Sequence, residues 1–276
     1  MTGYVVRAVA RFVLTVVVTA AIALWLLGLA PTPAGSAQAD LFGNFGSAPI
    51  GAALAVTLPL ILIALILSAA LGAGLGIWAA RHPGSLVDRA LRVLLRIGGA
   101  IPSFWLGTLL VLLFSATLRW LPAGGFVPWQ VNPLVALSSL ILPALALALP
   151  QAAWLGSMVR RALVDAQTAP YLVAAEARGL TGDAAMRRHG LRNALLAVLG
   201  ALGPQLVTLI TGALVVENVF YLSGLGRLLF DAVAARDLGS VRAAALVLIV
   251  LLAGAVLLAK LGAGWADPRV HAERKA

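Results

Sequence analysis

Long apolar runs alternate with short polar joints along this chain, and six of the runs are long enough to cross a bilayer. They cover roughly residues 5–29, 51–80, 91–118, 134–157, 194–221 and 243–261. Several exceed the ~20 residues that a straight span requires, which predicts tilted or kinked helices. Pro102, Pro143, Pro150 and Pro204 supply kink sites, tolerated in a membrane when neighbouring helices satisfy the freed carbonyls. Gly72, Gly74 and Gly76 give the small-residue spacing that lets helix backbones approach closely.

The longest polar joint, 158–192, breaks the pattern most. It carries Arg160, Arg161, Arg178, Arg187, Arg188 and Arg192 among the chain's 20 basic residues. Its interior reads as two short helices. Pro170 suits a first helical turn, where its missing N–H is not needed, and Ala174, Ala175 and Ala177 follow with small side chains. Gly179 is a natural C-cap, Thr181 can cap the second helix, and Asp183 lies in that helix's positive first turn. Two readings stand side by side. A small-sided helix can enter a groove on a soluble partner, or an amphipathic helix can lie on anionic lipid with Arg187 and Arg188 at the headgroups.

Composition agrees with the membrane reading. The chain is 62% hydrophobic and 11% charged, with a mean hydropathy of +1.01, whereas globular chains are about 25% charged. A net charge of +10 would suggest nucleic acid in a soluble protein, but basic residues flanking spans are what the positive-inside rule produces. With the N-terminus inside, 16 of the 20 basic residues fall in cytoplasmic segments and only Arg119, Arg227, Arg236 and Arg242 outside. Both termini are therefore expected in the cytoplasm. Ala37-Gln38-Ala39 resembles a signal-peptide cleavage site, but the preceding apolar run is too long for a signal core, so the first span is expected to be retained.

Chemistry is sparse. Zero cysteines excludes disulfides and thiolate catalysis, and His82, His189 and His271 all fall outside the spans. The spans offer a naked soft metal no ligands. No G-x-x-x-x-G-K-[ST] occurs, and the lysines are Lys260 and Lys275 alone, so the chain has no P-loop for ATP. Ser103, Ser138 and Ser139 lie in spans with no histidine near, which fits helix back-bonding rather than nucleophilic catalysis. Mid-bilayer charges, the mark of ion-coupled carriers, are lacking; Glu217 comes nearest, toward the outer end of the fifth span. Active transport would then draw its energy from elsewhere.

Residues 170–196, PYLVAAEARGLTGDAAMRRHGLRNALL, resemble the cytoplasmic coupling loop of ABC-importer permeases. The general pattern there is E-A-A-x-x-x-G followed by I-x-L-P. Aligned on Gly179, its glutamate and proline positions hold Val173 and Arg192, and its second and third positions Ala174 and Ala175. That departure resembles the dipeptide/oligopeptide/nickel subfamily, with loops reading Y-V-x-x-A-x-A-K-G-L and then R-H-x-L-R-N-A-L-L-P. Tyr171, Ala175, Ala177, Gly179, Leu180, Arg188, His189, Leu191, Arg192, Asn193, Ala194, Leu195 and Leu196 match, and Ala197 replaces the final proline. GIWAARHPGSLVDR (76–89), IPSFWLG (101–107), LPA (142–144), VVENVFYLSGLGRLLFDAV (215–233) and the closing Asp267-Pro268-Arg269 resemble the B-type permease subunit of that subfamily. Its usual P-G-D-P-like motif after the first span is PTPA here, and the outer segment is short.

The resemblance implies an all-α integral membrane protein with six transmembrane helices, N-in and C-in, of the type I ABC-importer permease architecture. Residues 1–50 would form the first span and a short extracytoplasmic segment, and 51–276 a five-helix permease core with the coupling loop at 158–192. Such a subunit forms half of a pathway for di- or oligopeptides, or a related small solute, by ATP-driven alternating access. Nickel or a metal chelate is the alternative cargo, and a stand-alone channel or secondary carrier the distant one. The implied partners are a second, related permease chain, two ATP-binding-cassette ATPase domains and an extracytoplasmic substrate-binding protein. Membrane lipid surrounds it, and nucleic acid is not a partner. ATP would sit on the partner subunits, with no cofactor, metal or catalytic group on this chain, in a bacterial or archaeal cytoplasmic membrane. Pro170, Tyr171, Ala174, Ala175, Ala177, Gly179, Leu180, His189, Leu191, Arg192 and Asn193 carry the implied coupling role. Glu217 and Phe220, in the family's V-E-x-V-F, stand near an outer gate, where Glu217 could pair with Arg227 or Arg242, touch a substrate amine, or simply cap the adjoining loop.

The basic-residue asymmetry leads to a topology test. Reporter fusions at Phe45, Phe126 and Ser223 are expected to read outside, and those at Ser85, Thr181 and Ala272 inside. An inside signal at Phe126 would break the six-span arrangement.

Overall fold

A computed structural model describes residues 2–28, 48–167, 169–170, 174, 177–186 and 191–266. Every regular element among them is helical: α1 (Thr2–Gly28), α2 (Ala48–Arg81), α3 (Leu86–Ala100), α4 (Ser103–Leu110), α5 (Pro133–Gln167), α6 (Gly182–Ala185), α7 (Leu191–Val219), α8 (Leu225–Ala234) and α9 (Leu238–Ala266). Four stretches, within α2, α5, α7 and α9, are long and apolar enough to cross a membrane, and α3 with the segment after it makes a fifth if the bent pair is one span. The apolar stretch of α1, Ala8–Ala23, is shorter. Along α1, Val13, Leu14, Val17, Ile22 and Trp25 are exposed, as suits lipid as the surrounding solvent. Thr15 and Thr19 turn their hydroxyls back onto the carbonyls of Arg11 and Thr15, which hides polar atoms along this apolar helix.

One expectation is sharpened and one corrected. The kink expected at Pro102 is a full break in the third apolar run, with its two parts bent by 101°. Ile101 takes an extended backbone (φ −76°, ψ 125°) before Pro102, because a residue preceding proline is pushed out of the α region, so α3 stops at Ala100 and α4 starts afresh. After α4 the chain widens into a π-helical turn, Val111–Thr117, whose Leu118 N–H reaches back to the Leu113 carbonyl. The polar joint also begins later than expected: α5 runs on to Gln167, so Arg160 and Arg161 stand on a helix, not in a loop. Pro143 and Pro150 lie within α5, Pro59 within α2 and Pro204 within α7.

Two compact units are built from discontinuous pieces of chain. The first combines residues 1–64, 103–147 and 206–258. Its core holds Leu60, Leu140, Leu142, Leu209, Val216, Phe220, Leu222 and Leu225, all essentially without solvent contact. Gly107 lies so close under the Phe220 ring that an added Cβ would come within 2.8 Å of it. The Gly125 N–H donates to the Phe220 carbonyl at 2.8 Å, and the Trp129 indole N–H donates to the Ala55 carbonyl, also at 2.8 Å. Asp237 caps α9, accepting from the N–H groups of Gly239 and Ser240 and the Ser240 hydroxyl, and these bonds hold its carboxyl below the ordinary range.

The second unit combines 65–102, 148–205 and 259–276. Ala80, Leu155, Val159 and Leu163 form its buried cluster, with Ala69, Ile77, Met186 and Val198 packed on it. Two glycines bring α2 and α5 into backbone contact. A Cβ at Gly72 would meet the Ala152 carbonyl oxygen at 2.8 Å, and one at Gly76 the Gly156 oxygen and the Val159 Cβ, both at 2.7 Å. Membrane helices use such small residues because lipid is as apolar as leucine, so association depends on close packing. Gly74, between them in sequence, is different: a Cβ there would meet nothing within 4 Å.

Gly76→Val is therefore expected to force α2 and α5 apart and destabilise the unit by about 1–3 kcal/mol. Gly74→Ala, with free space and a better helix former, is expected to leave stability unchanged or slightly raised. Thermal unfolding of the detergent-solubilised chain separates them; equal midpoints for the two variants would remove the close-packing role of Gly76.

Candidate functional site

Three side-chain constellations stand out. In the polar joint after α5, the backbone at Pro170 and Ala174 is helical, and both residues are exposed. Arg178 donates from Nε to the Ala174 carbonyl at 3.0 Å, tying off one of the last free acceptors of that turn. Gly179 then adopts φ +90°, the left-handed conformation that L side chains rarely take. Ala177 and Gly179 are exposed, Leu180 is half-buried, and a Cβ at Gly179 would meet nothing within 4 Å. The Thr181 hydroxyl accepts from the Ala184 N–H at 3.4 Å at the start of α6. Leu191, Arg192 and Asn193 form the first turn of α7. Tyr171, Ala175 and His189 lie outside the described residues.

The second constellation surrounds Glu217, which is fully buried near the end of α7. One carboxyl oxygen accepts from the Thr57 hydroxyl at 2.6 Å, and the other from the Gly226 N–H at 2.6 Å, with the Arg227 N–H as a further donor. Thr57 in turn accepts from the Leu225 N–H at 2.8 Å. Glu217 and Thr57 together thus satisfy the N–H groups of the first turn of α8, where the helix dipole favours an acceptor. Gly224, the N-cap of α8, lies against the carboxyl; any Cβ there would overlap it. These bonds cap the start of α8, and the ion pair of Arg227 is with Asp231, at 3.2 Å. Phe220, also fully buried, packs its ring on Gly107.

Sequence reasoning missed the third. Asp88 on α3 is fully buried and accepts from Arg160 at 2.5 Å through Nε and 2.7 Å through a terminal nitrogen. Its carboxyl also accepts from the Gly84 N–H at 2.9 Å, while the Ser85 hydroxyl caps α3 by accepting from the Asp88 N–H at 3.1 Å. A fork-to-fork pair of this kind tolerates burial because each charge is hydrogen-bonded as well as neutralised. An available signal was Ser85-x-x-Asp88 opening an amphipathic helix. Nothing in the sequence pointed to Arg160 as its partner, 72 residues on. Thr57 carried no signal at all.

Among the described residues no group of three or more histidine, cysteine, aspartate or glutamate side chains is placed to hold a metal. The buried carboxyl groups of Glu217 and Asp88 are both taken up by structural hydrogen bonds. The chemistry visible is therefore that of positioning helices.

Truncating Glu217 to Ala would leave buried donors of Thr57 and α8 unsatisfied, at a cost of about 1–3 kcal/mol for each. Glu217→Gln, which keeps an acceptor, is expected to fall between Ala and wild type. Gly224→Ala is expected to destabilise comparably by displacing the carboxyl, but to cost little more once Glu217 is Ala. Additive losses in this double-mutant cycle, read from thermal midpoints, would show that the glycine is not there for the carboxyl.

Comparison with known proteins places this geometry in context. A Brucella suis protein described as a peptide transport system permease is 39% identical over 229 residues, covering 82% of this chain and 73% of that one. The oligopeptide transport system permease protein AppB of Bacillus subtilis is 34% identical over 224 residues, or 80% and 71% of the two chains. The dipeptide transport system permease protein DppB of Lactococcus lactis is 30% identical over 239 residues, 83% and 76%. Residues 72–272 match the binding-protein-dependent transport system inner membrane component family, a span that contains α5, the polar joint after it and Glu217 itself, but not its partner Thr57. With its apolar helices and this match over most of its length, the chain is a multi-pass bacterial inner-membrane protein and belongs to that family of ABC-importer permease subunits.

Proposed function

We propose that this chain forms half of the translocation pathway of an ATP-driven importer of di- or oligopeptides, with six spans and both termini in the cytoplasm. The observation that carries the reading is its similarity, across about four-fifths of the chain, to proteins named as peptide, oligopeptide and dipeptide transport permeases. A second permease, two ATPase domains and an extracytoplasmic binding protein complete the assembly, and ATP is bound and hydrolysed by the partners. In this scheme ATPase closure favours the outward-facing arrangement of the bundle, and the permease alternates between two packings of its helices.

The coupling element is the joint around Gly179. Its exposed, small-sided turn, with Pro170, Ala174 and Ala177 and the half-buried Leu180 beside them, is shaped to enter a groove on the ATPase, and the adjoining Tyr171, Ala175, His189, Leu191, Arg192 and Asn193 are assigned to the same element. The open space around Gly179 supports this, because among the described residues no atom lies within 4 Å of where a Cβ would stand.

Gly179→Asp is the direct test. Among the described residues an added Cβ meets no atom within 4 Å, so the cost expected within the chain is that of forcing a side-chain-bearing residue into positive φ, about 1–2 kcal/mol. Membrane insertion and capture of the loaded binding protein are expected to survive, while recovery of the ATPase in a pull-down and peptide uptake collapse. Equal ATPase recovery and uptake at matched membrane levels would return the loop to a role on the lipid surface.

A further inference from the structure

A cavity of about 440 Å³ opens at the start of α8, within the first unit and apart from the coupling joint. Arg227, Leu228 and Asp231 line it from one face of α8, and Ala52, Tyr221 and Ser223 complete it from the beginning of α2 and the turn after α7. Its size falls in the range of small-molecule sites, roughly 300–1,000 Å³.

The charges in it are poised but little used by the fold. Arg227 bonds Asp231 through Nε and Oδ2 at 3.2 Å, an i,i+4 pair on a helix surface with side chains 31% and 58% exposed. Pairs so exposed contribute little to stability. The bond draws on one guanidinium nitrogen and one carboxylate oxygen, and both side chains line the cavity, one sign of charge beside the other.

Tyr221 is the sharper observation. It closes α7 with φ +53°, and the Leu222 N–H reaches back to the Glu217 carbonyl at 2.9 Å, the helix-ending turn in which glycine is usual. A tyrosine in this conformation is a backbone outlier, and glycine would make the same turn without strain. What tyrosine adds is its ring, 68% exposed at the cavity and 4.7 Å from the Arg227 guanidinium carbon. Strained residues of this kind gather at ligand clamps. The ring orients the guanidinium through a cation–π contact and offers a flat face to whatever lies alongside.

We propose that this cavity is a subsite for a short zwitterionic peptide. The guanidinium fork of Arg227 takes the peptide carboxylate, Asp231 takes its ammonium group, and Tyr221, Ala52 and Leu228 flank the apolar portion. A lone anion at Arg227 would face the Asp231 carboxylate, and a lone cation at Asp231 would face Arg227; a solute carrying both charges satisfies both. The assignment rests on the importer reading above and deepens it, since α8 then lies on the outer side, where solute arrives.

The test uses the full chain purified in detergent without binding protein, so that this subsite alone is read. The probe is L-alanyl-L-phenylalanine, compared by calorimetric titration with its N-acetylated and C-amidated forms. Each blocked form is expected to bind about tenfold or more weakly, the ratio that one charge-assisted hydrogen bond supplies. Arg227→Gln is expected to erase the preference for the free carboxylate, and Asp231→Asn the preference for the free amine. Tyr221→Gly is expected to weaken binding while leaving the thermal midpoint unchanged or raised, an outcome that a merely structural tyrosine would not give. Equal binding of the three probes, or no saturable binding up to about 10 mM, overturns the subsite. The analogue comparison needs no variant, so a misfolded mutant leaves it decisive. Failure here would leave the Gly179→Asp pull-down untouched. Failure of that pull-down would remove the importer context without altering these affinities.

Discussion

Lipid offers no hydrogen bonds, so a polar group carried into an apolar bundle must bring its partners with it. Glu217 shows how this chain meets that constraint. Its carboxyl is fully buried, yet it accepts from Thr57 on α2 and from the first turn of α8, while Thr57 takes the remaining nearby N–H. One residue thereby joins α2, the end of α7 and the start of α8. The turn between α7 and α8, with Phe220 packed on Gly107 and its carbonyl bonded by Gly125, is held against this anchor. Gly224 is small because the carboxyl occupies the place its side chain would take. The strained Tyr221 sits in that same turn, where the surrounding bonds hold a conformation the residue would not choose alone.

The second unit meets the same constraint with opposite charges. Asp88 at the start of α3 and Arg160 on α5 are hydrogen-bonded as well as paired, and the carboxylate also receives the Gly84 N–H. Arg92 adds a weaker contact to the same carboxylate at 3.5 Å, so Asp88 is held from α5, from its own helix and from the preceding turn. Around it, Gly72 and Gly76 let α2 and α5 touch backbone to backbone. Gln205 on α7 adds a bond to Ser68 on α2 at 2.8 Å. These contacts are local and directional, so the helices of the unit have a defined register, not merely an apolar attraction.

Against these buried, hydrogen-bonded clusters, the joint at Gly179 and the cavity at Arg227 look different. Both present groups whose capacity the chain itself does not use: open space around a positive-φ glycine, and exposed charges beside a strained aromatic ring.

Much of the architecture was legible in the residues. Uninterrupted apolar runs dictate membrane-length helices, because a bilayer accepts little else, and Gly179 marked a left-handed turn because other residues are penalised there. The ordered family blocks from 76 to 269 identified the class of transporter without any coordinates. Pro102 marked a kink in the third run, but hydrophobicity alone could not show that it is a full break at Ile101, since proline's restriction on its neighbour acts through backbone sterics and not polarity. Nor could it pair Asp88 with Arg160, or Glu217 with Thr57 across 160 residues. Composition and periodicity determine which segments leave water; which polar groups then meet depends on how those segments pack, a long-range outcome that tertiary structure alone decides.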